Sequence, residues 1–185
     1  MKISRDQVVE NRKRILDAAA KMIRERGLEG VTVAEIMKDA GLTHGAFYGH
    51  FKSKDDLIVQ AFSHVLPAAG EGMHAADAPQ ALKDYTALYL STEHRDDIGC
   101  ACLFSTLGTE VARSSDETRS TLTASIRRHI ETFTLTAPGR TKAERRRAAI
   151  GSWSAMIGAV VLARIANEAD LSDELLASTE AWINS

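Results

Sequence analysis

Residues 43–51 read THGAFYGHF. Two glycines and two histidines interleave with three aromatic residues, in a chain otherwise rich in good helix formers. Glycine inside a helix costs roughly 1 kcal/mol relative to alanine, so this stretch is poor helix material on its own. Its flanks are good helix material. Upstream, Val8, Ile15, Ala19 and Met22 recur at helical spacing, with Leu16 and Ile23 widening the stripe, which predicts a helix over about residues 5–26. Gly27 is expected to close it as a left-handed cap. Arg12, Lys13 and Arg14 ride the polar side, a solvated face by default, with a phosphate role open to one of them.

Thr32 and Glu35 have the spacing of a capping box, and Val33, Ile36 and Ala40 form the apolar stripe of a second helix. Gly41 supplies the positive φ of a tight turn. Leu42 follows, and Thr43 is placed to cap a short helix over HGAFYGH. Beyond it Ser53 caps another helix, with Asp56 at the box-closing position and Leu57, Ala61, Phe62 and Val65 facing inward; Pro67 ends or kinks it. Helix, a turn of about three residues with a glycine, then a short second helix is the spacing of a helix-turn-helix.

The run from Gly27 to Leu57 resembles the DNA-binding domain of the TetR (TetR/AcrR) family of transcriptional regulators. The matching residues, in order, are Thr32, Ala40-Gly41-Leu42, Thr43, Phe47-Tyr48, His50-Phe51 and Lys54. One departure is Met37, where the family usually carries a small alanine before the turn. The resemblance covers about 50 of the 185 residues. It implies an all-α fold with two domains. Residues 1–53 would form a three-helix DNA-binding domain, with the helix over about 54–66 connecting. Residues 54–185 would form a helical ligand-binding and dimerisation domain.

Phe47 and Phe51 lie four apart, share a face and are expected to anchor the short helix by packing. Thr43, His44, Gly45 and Ala46 form the first turn, the part of a recognition helix that enters the major groove. Gly45 and Gly49 remove bulk, so backbone can approach a duplex. Tyr48 can donate its hydroxyl to a phosphate, and His50 either binds phosphate or caps buried polar groups. Lys52 and Lys54 sit at a helix start, where free N–H groups and the dipole attract phosphate. Thr32 joins this set through the resemblance. The segment has no Arg, Asn or Gln, the usual bidentate readers of guanine and adenine. His44, Thr43 and the methyl of Ala46 are the plausible direct readers, so phosphate and shape contributions should be large.

Charge is distributed to match. The net charge of −2 hides 11 Lys and Arg against 7 Asp and Glu up to Lys54, and 12 against 18 beyond it. A basic head on an acidic body fits a polyanion partner. Hydrophobic content of 44% and charged content of 26% are ordinary for a soluble globular protein. The first residues, MKISRDQVVENRKRIL, are charged throughout, unlike a secretory leader. The uncharged run at 148–163 falls short of a typical membrane span and reads as a buried helix.

The body should hold helices over about 80–92, 101–114 and 116–136, a long helix from the Thr141/Glu144 capping box to about Asn167, and a last helix over LSDELLASTEAWIN. Residues 68–79 read as a linker. On the long helix Ala148, Gly151, Ala155, Gly158, Ala159 and Ala166 gather on one side, and Ile150, Trp153, Ile157 and Val160 gather opposite. An all-apolar helix should be buried all round. Gly151, Ala155, Gly158, Ala159 and, on the last helix, Trp182 are the candidate homodimer contacts, as the resemblance also implies. Packing of both faces within one subunit is the alternative.

In the family the body binds a small molecule that moves the heads. Tyr85, Tyr89, Phe104, His129, Phe133 and Met156 are candidate ligand contacts or simply core, with His129 also a candidate surface residue. Cys100 and Cys102, six and eight residues beyond His94, offer an alternative reading as a thiol-based redox sensor; C-x-C plus one histidine falls short of a zinc pattern. No Gly-x-Ser-x-Gly, His-Glu-x-x-His, P-loop or dinucleotide fingerprint is present. The expectation is a cytoplasmic non-enzyme without cofactor or metal: a homodimeric repressor released from a palindromic operator by an unknown small ligand. A helical protein–protein adaptor without DNA binding is a further alternative.

Overall fold

The computed structural model describes residues 4–66 and 78–185, and every regular element among them is helical. The linker expected at 68–79 lies mostly outside the described residues. Contacts divide the chain into two units. The first comprises residues up to Pro67 together with Leu107–Thr123; the second comprises Ala68–Thr106 and Ala124–Ser185.

In the first unit α1 spans Arg5–Arg26. The Ser4 hydroxyl accepts from the Gln7 N–H at 3.2 Å and so opens the helix. The predicted stripe turns inward: Ile15, Ala19 and Ile23 are fully buried, and Val8 alone of that set stays outside. Gly27 ends the helix with φ +82° but an extended ψ of 170°, so the cap has positive φ without being left-handed helical. α2 covers Val33–Asp39, and both arms of its Thr32/Glu35 capping box are formed. α3 covers Lys54–Val65, opened by Ser53, whose hydroxyl accepts from the Asp56 N–H at 3.0 Å. Asp56 reaches back one residue further than a standard box and accepts from the Lys52 N–H at 2.8 Å. α1 packs on both α2 and α3. Phe47, Phe62, Ile36, Met37 and Leu57 form the centre of this core. Burying such side chains stabilises by about 1.5–3 kcal/mol each. Met37, the departure from the family pattern, is wholly buried.

The second unit contains α4 (Ala78–Tyr89), α5 (Thr92–Asp96), α8 (Lys142–Ile165) and α9 (Ala169–Asn184). α6 (Leu103–Val111) and α7 (Asp116–Thr136) each contribute residues to both units. The five-residue α5 was not legible in the sequence; the Ser91 hydroxyl caps it by accepting from the His94 N–H at 3.1 Å. Arg164 of α8 holds the ends of α5 and α6, donating to the carbonyls of Arg95 (2.8 Å), His94 (3.0 Å) and Ser105 (3.3 Å). Ser172 of α9 donates to the Ala163 carbonyl at 2.7 Å and accepts from Arg95 at 2.9 Å.

α8 is long and apolar enough to cross a membrane by length and composition alone. It packs against α9 and sends Ala149, Trp153, Met156, Ala159, Val160 and Ala163 into the core. Within the single chain only one arc of the helix is covered. Ile150, Leu162 and Ile165 are 40%, 52% and 72% exposed. At 100° per residue Leu162 and Ile165 lie with Gly151 and Gly158 on the arc opposite Met156 and Val160, and Ile150 lies at the edge between the two arcs. Ala159 falls on the core arc rather than with the other small residues, and Ile150 leaves the core side on which the sequence placed it.

Candidate nucleic-acid interface

The turn after α2 is a Schellman motif: the Leu42 N–H donates to the Met37 carbonyl at 2.8 Å and the Gly41 N–H to the Lys38 carbonyl at 3.0 Å. Gly41 has φ +69°, a conformation that costs an L side chain roughly 1–2 kcal/mol. This motif sets the angle at which the chain leaves α2 for the segment His44–Gly49.

That segment, expected as a short helix, is a 3₁₀ helix, η1. Thr43 has extended backbone at its start, but its side chain makes no capping hydrogen bond, which corrects its expected role. Two glycines in six residues weaken α-helical propagation, and the tighter i→i+3 pattern suits so short a piece. The ladder runs from the Ala46 N–H to the Thr43 carbonyl (3.0 Å) and from the His50 N–H to the Phe47 carbonyl (2.9 Å).

Phe47 and Phe51 are buried, with ring centroids 5.7 Å apart, and anchor η1 as expected. Everything else on η1 faces outward. Thr43, His44, Gly45, Tyr48 and Gly49 are exposed, and Ala46 is half-buried. Tyr48 is 71% exposed, its ring held edge-on by Phe47 at 5.2 Å and near His44 at 6.3 Å. A Cβ built on Gly45 or Gly49 meets nothing within 4 Å, and neither residue has a positive φ. Neither chain geometry nor internal packing therefore requires glycine at these two places.

Thr32 is exposed, but its hydroxyl is committed to Glu35, donating to Oε2 at 2.6 Å. Lys52 is exposed; Lys54 is half-buried, with Nζ 3.9 Å from Glu29. His50 is half-buried, and burial together with the neighbouring Arg12 guanidinium holds its pKa below the ordinary histidine value. A neutral imidazole is a weaker phosphate partner than a cation. Sequence reasoning missed Arg12, which turns inward from the supposed solvated face. It donates to the His50 carbonyl at 2.7 Å and lies over the Phe51 ring at 4.7 Å. Its position three and four residues before the buried Ile15 and Leu16 was the available signal.

In the second unit the six candidate ligand residues gather in one aromatic cluster. Tyr85 meets Phe133 edge-on at 5.0 Å and stacks on Tyr89 at 5.8 Å. His129 stacks on Trp153 at 5.0 Å, and Phe104 stands edge-on to both rings. Met156 is fully buried beside them in the same core. His129 is 4% exposed, so the surface alternative for it is corrected. Burial pushes its pKa down, and it pushes the Tyr85 phenol up. The Trp153 indole nitrogen is buried without a hydrogen-bond partner.

Cys100 is exposed and Cys102 half-buried. His94, the candidate companion of the two thiols, is committed elsewhere: Nε2 accepts from the Cys102 backbone N–H at 3.0 Å, and Nδ1 lies 2.6 Å from the Tyr89 carbonyl. Of the candidate dimer contacts, Gly151 and Trp182 are exposed, Ala155 and Gly158 are half-buried, and Ala159 lies in its own subunit's core.

A capped helix, a glycine turn and an outward-facing second helix anchored by two phenylalanines define a helix-turn-helix head, carried by an all-helical chain. Residues 15–61 match the family described as bacterial regulatory proteins, tetR family. The chain is 41% identical over 55 residues to the HTH-type transcriptional regulator AcrR of Shigella flexneri, covering 30% of this chain and 26% of AcrR. It is 33% identical over 95 residues to the HTH-type transcriptional repressor KstR2 of Mycolicibacterium smegmatis, covering 48% of this chain and 46% of KstR2. The match thus spans between about a quarter and about half the length of these relatives. A TetR transcriptional regulator from Chloroflexus aurantiacus aligns over 96% of both chains, with 25% identity and a TM-score of 0.76. The head of the chain thus matches the tetR-family DNA-binding domain, and the chain as a whole shares its fold with a TetR-family regulator.

Proposed function

We propose that the chain is a sequence-specific DNA-binding transcriptional regulator, acting as a homodimeric repressor that a small molecule releases from a palindromic operator. The observation that carries the reading is η1 itself. Its glycines are not required by φ or by internal packing, and its polar residues face solvent from a rigid, twice-anchored base. Thr43, His44, Gly45, Ala46, Tyr48 and Gly49 enter the major groove, while Lys52, Lys54, His50 and the Thr32 end of α2 lie along phosphates.

Two heads are needed for a palindrome. The outer arc of α8, with Gly151, Ala155, Gly158, Leu162 and Ile165, and the exposed Trp182 of α9 supply an apolar face for a second copy. Release by a small molecule rests on the aromatic cluster of the second unit and its buried, unpartnered Trp153 N–H, a donor that an acceptor on a bound molecule would satisfy. The regulator is cytoplasmic and non-enzymatic, in keeping with its regulator relatives. Repression rather than activation follows the relative named a repressor.

Selection of genomic DNA fragments bound by the purified protein tests the whole reading. A palindromic consensus with half-sites about one helical turn apart is expected. Recovery of random fragments, or of none at low salt, overturns it.

A further inference from the structure

Arg12 belongs to α1, yet its guanidinium reaches the far end of η1. The His50 carbonyl lies just past η1, where no helical N–H is available to it, and Arg12 Nη1 donates to it at 2.7 Å. Nη2 donates to Gln60 Oε1. The guanidinium carbon lies 4.7 Å from the Phe51 ring centroid, a cation–π distance. From Gln60 the network continues: Nε2 donates to Asp56 Oδ1 at 2.6 Å, and Asp56 Oδ2 accepts from the Lys52 backbone N–H at 2.8 Å. Arg12 and Asp56 therefore grip the His50–Lys52 junction from both sides, joined through one glutamine. Asp56 stays ionised, because the Lys52 N–H and the Gln60 amide hold its carboxyl below the usual range.

Building on the DNA-binding reading, we propose that Arg12 is a positioning residue: it fixes the His50–Lys52 junction, and so the setting of η1 against Lys52 and Lys54, rather than contacting phosphate. Its planar fork is spent on two acceptors and a ring inside the protein. Lysine cannot reproduce that, since it has one point-like ammonium and no plane to stack. A phosphate contact, by contrast, tolerates lysine well.

The experiment compares Arg12→Lys, Arg12→Met and Gln60→Ala with the wild type on a selected operator fragment and on random-sequence DNA, across a salt series. A thermal melt of each variant accompanies it. Positioning requires all three variants, Arg12→Lys included, to lose about tenfold or more in operator affinity, with a smaller loss on random DNA and an unchanged salt slope. Gln60→Ala removes no charge, so its loss of specificity is the decisive arm if Arg12→Met fails to fold. Amide exchange at Phe51 and Lys52 should speed up in the variants. Wild-type affinity in Arg12→Lys overturns the proposal. So does a salt slope lowered by about one in Arg12→Met with equal losses on both DNAs, the signature of a phosphate contact. A wild type that binds no DNA defeats the functional reading instead; a wild type that binds while Arg12→Lys matches it defeats only the role of Arg12.

Discussion

Glu110 accepts the backbone N–H of Leu28 at 2.7 Å, across 82 residues of sequence. Leu28 is 6% exposed, and the same carboxylate occupies the space beside Gly27 that a Cβ would need, 2.8 Å away. The connection between α1 and α2 is thus closed by a side chain from α6. Glu110→Ala leaves a nearly buried N–H unpaired and should lower unfolding stability by about 1–3 kcal/mol in urea titration. Glu110→Gln retains an acceptor and should recover most of it. Equal losses in the two variants would point to charge rather than to the hydrogen bond.

Glycines 41 and 45 should respond in opposite directions to alanine. Gly41→Ala forces a Cβ onto φ +69° and 2.5 Å from the Arg14 guanidinium, and should destabilise by about 1–2 kcal/mol. Gly45→Ala meets open space and should raise stability by up to about 1 kcal/mol, while weakening operator binding. Paired thermal melts and binding titrations check both. A Gly45→Ala protein that binds DNA at least as well as the wild type would remove the case for close backbone approach.

His44 and Lys54 should separate reading from holding. His44→Ala is expected to relax sequence preference by about 1–3 kcal/mol at one position of each half-site. Lys54→Ala should weaken all sequences alike and lower the salt slope by about one unit. Competition binding with single-base operator variants distinguishes them.

Ile165, 72% exposed at the end of α8, tests the second-copy face. Ile165→Glu should leave helicity unchanged and raise the dimer dissociation constant at least tenfold, about 1.4 kcal/mol, in sedimentation velocity. Unchanged sedimentation in that variant and in Gly158→Trp would place the interface elsewhere.

Stability should decline as pH falls from about 7 toward 5. Burial lowers the pKa of both His129 and His94 in the folded state. In the window between the unfolded value and the lower folded one, only the unfolded chain binds the protons. The contribution is therefore complete above the unfolded pKa and is lost as pH drops below it. Melting temperatures across this range should fall for the wild type and fall less steeply in His129→Gln.

The head was readable because its signals are local. A Thr-x-x-Glu box, a glycine turn and two phenylalanines four apart are short-range chemistry, and each forms as expected. Residue order alone also placed α1, α7 and α8 to within a residue or two, since apolar periodicity and capping boxes carry that information. What tertiary structure decided depends on partners distant in the chain. Arg12 looked like one cation among three until η1 and α3 gave it a carbonyl, an amide and a ring. On α8 an unbroken apolar run cannot say which arc meets its own subunit; packing within its own unit buried Met156 and Val160 and left Leu162 and Ile165 outside. Periodicity reports that a face is apolar; only the assembled chain reports what covers it.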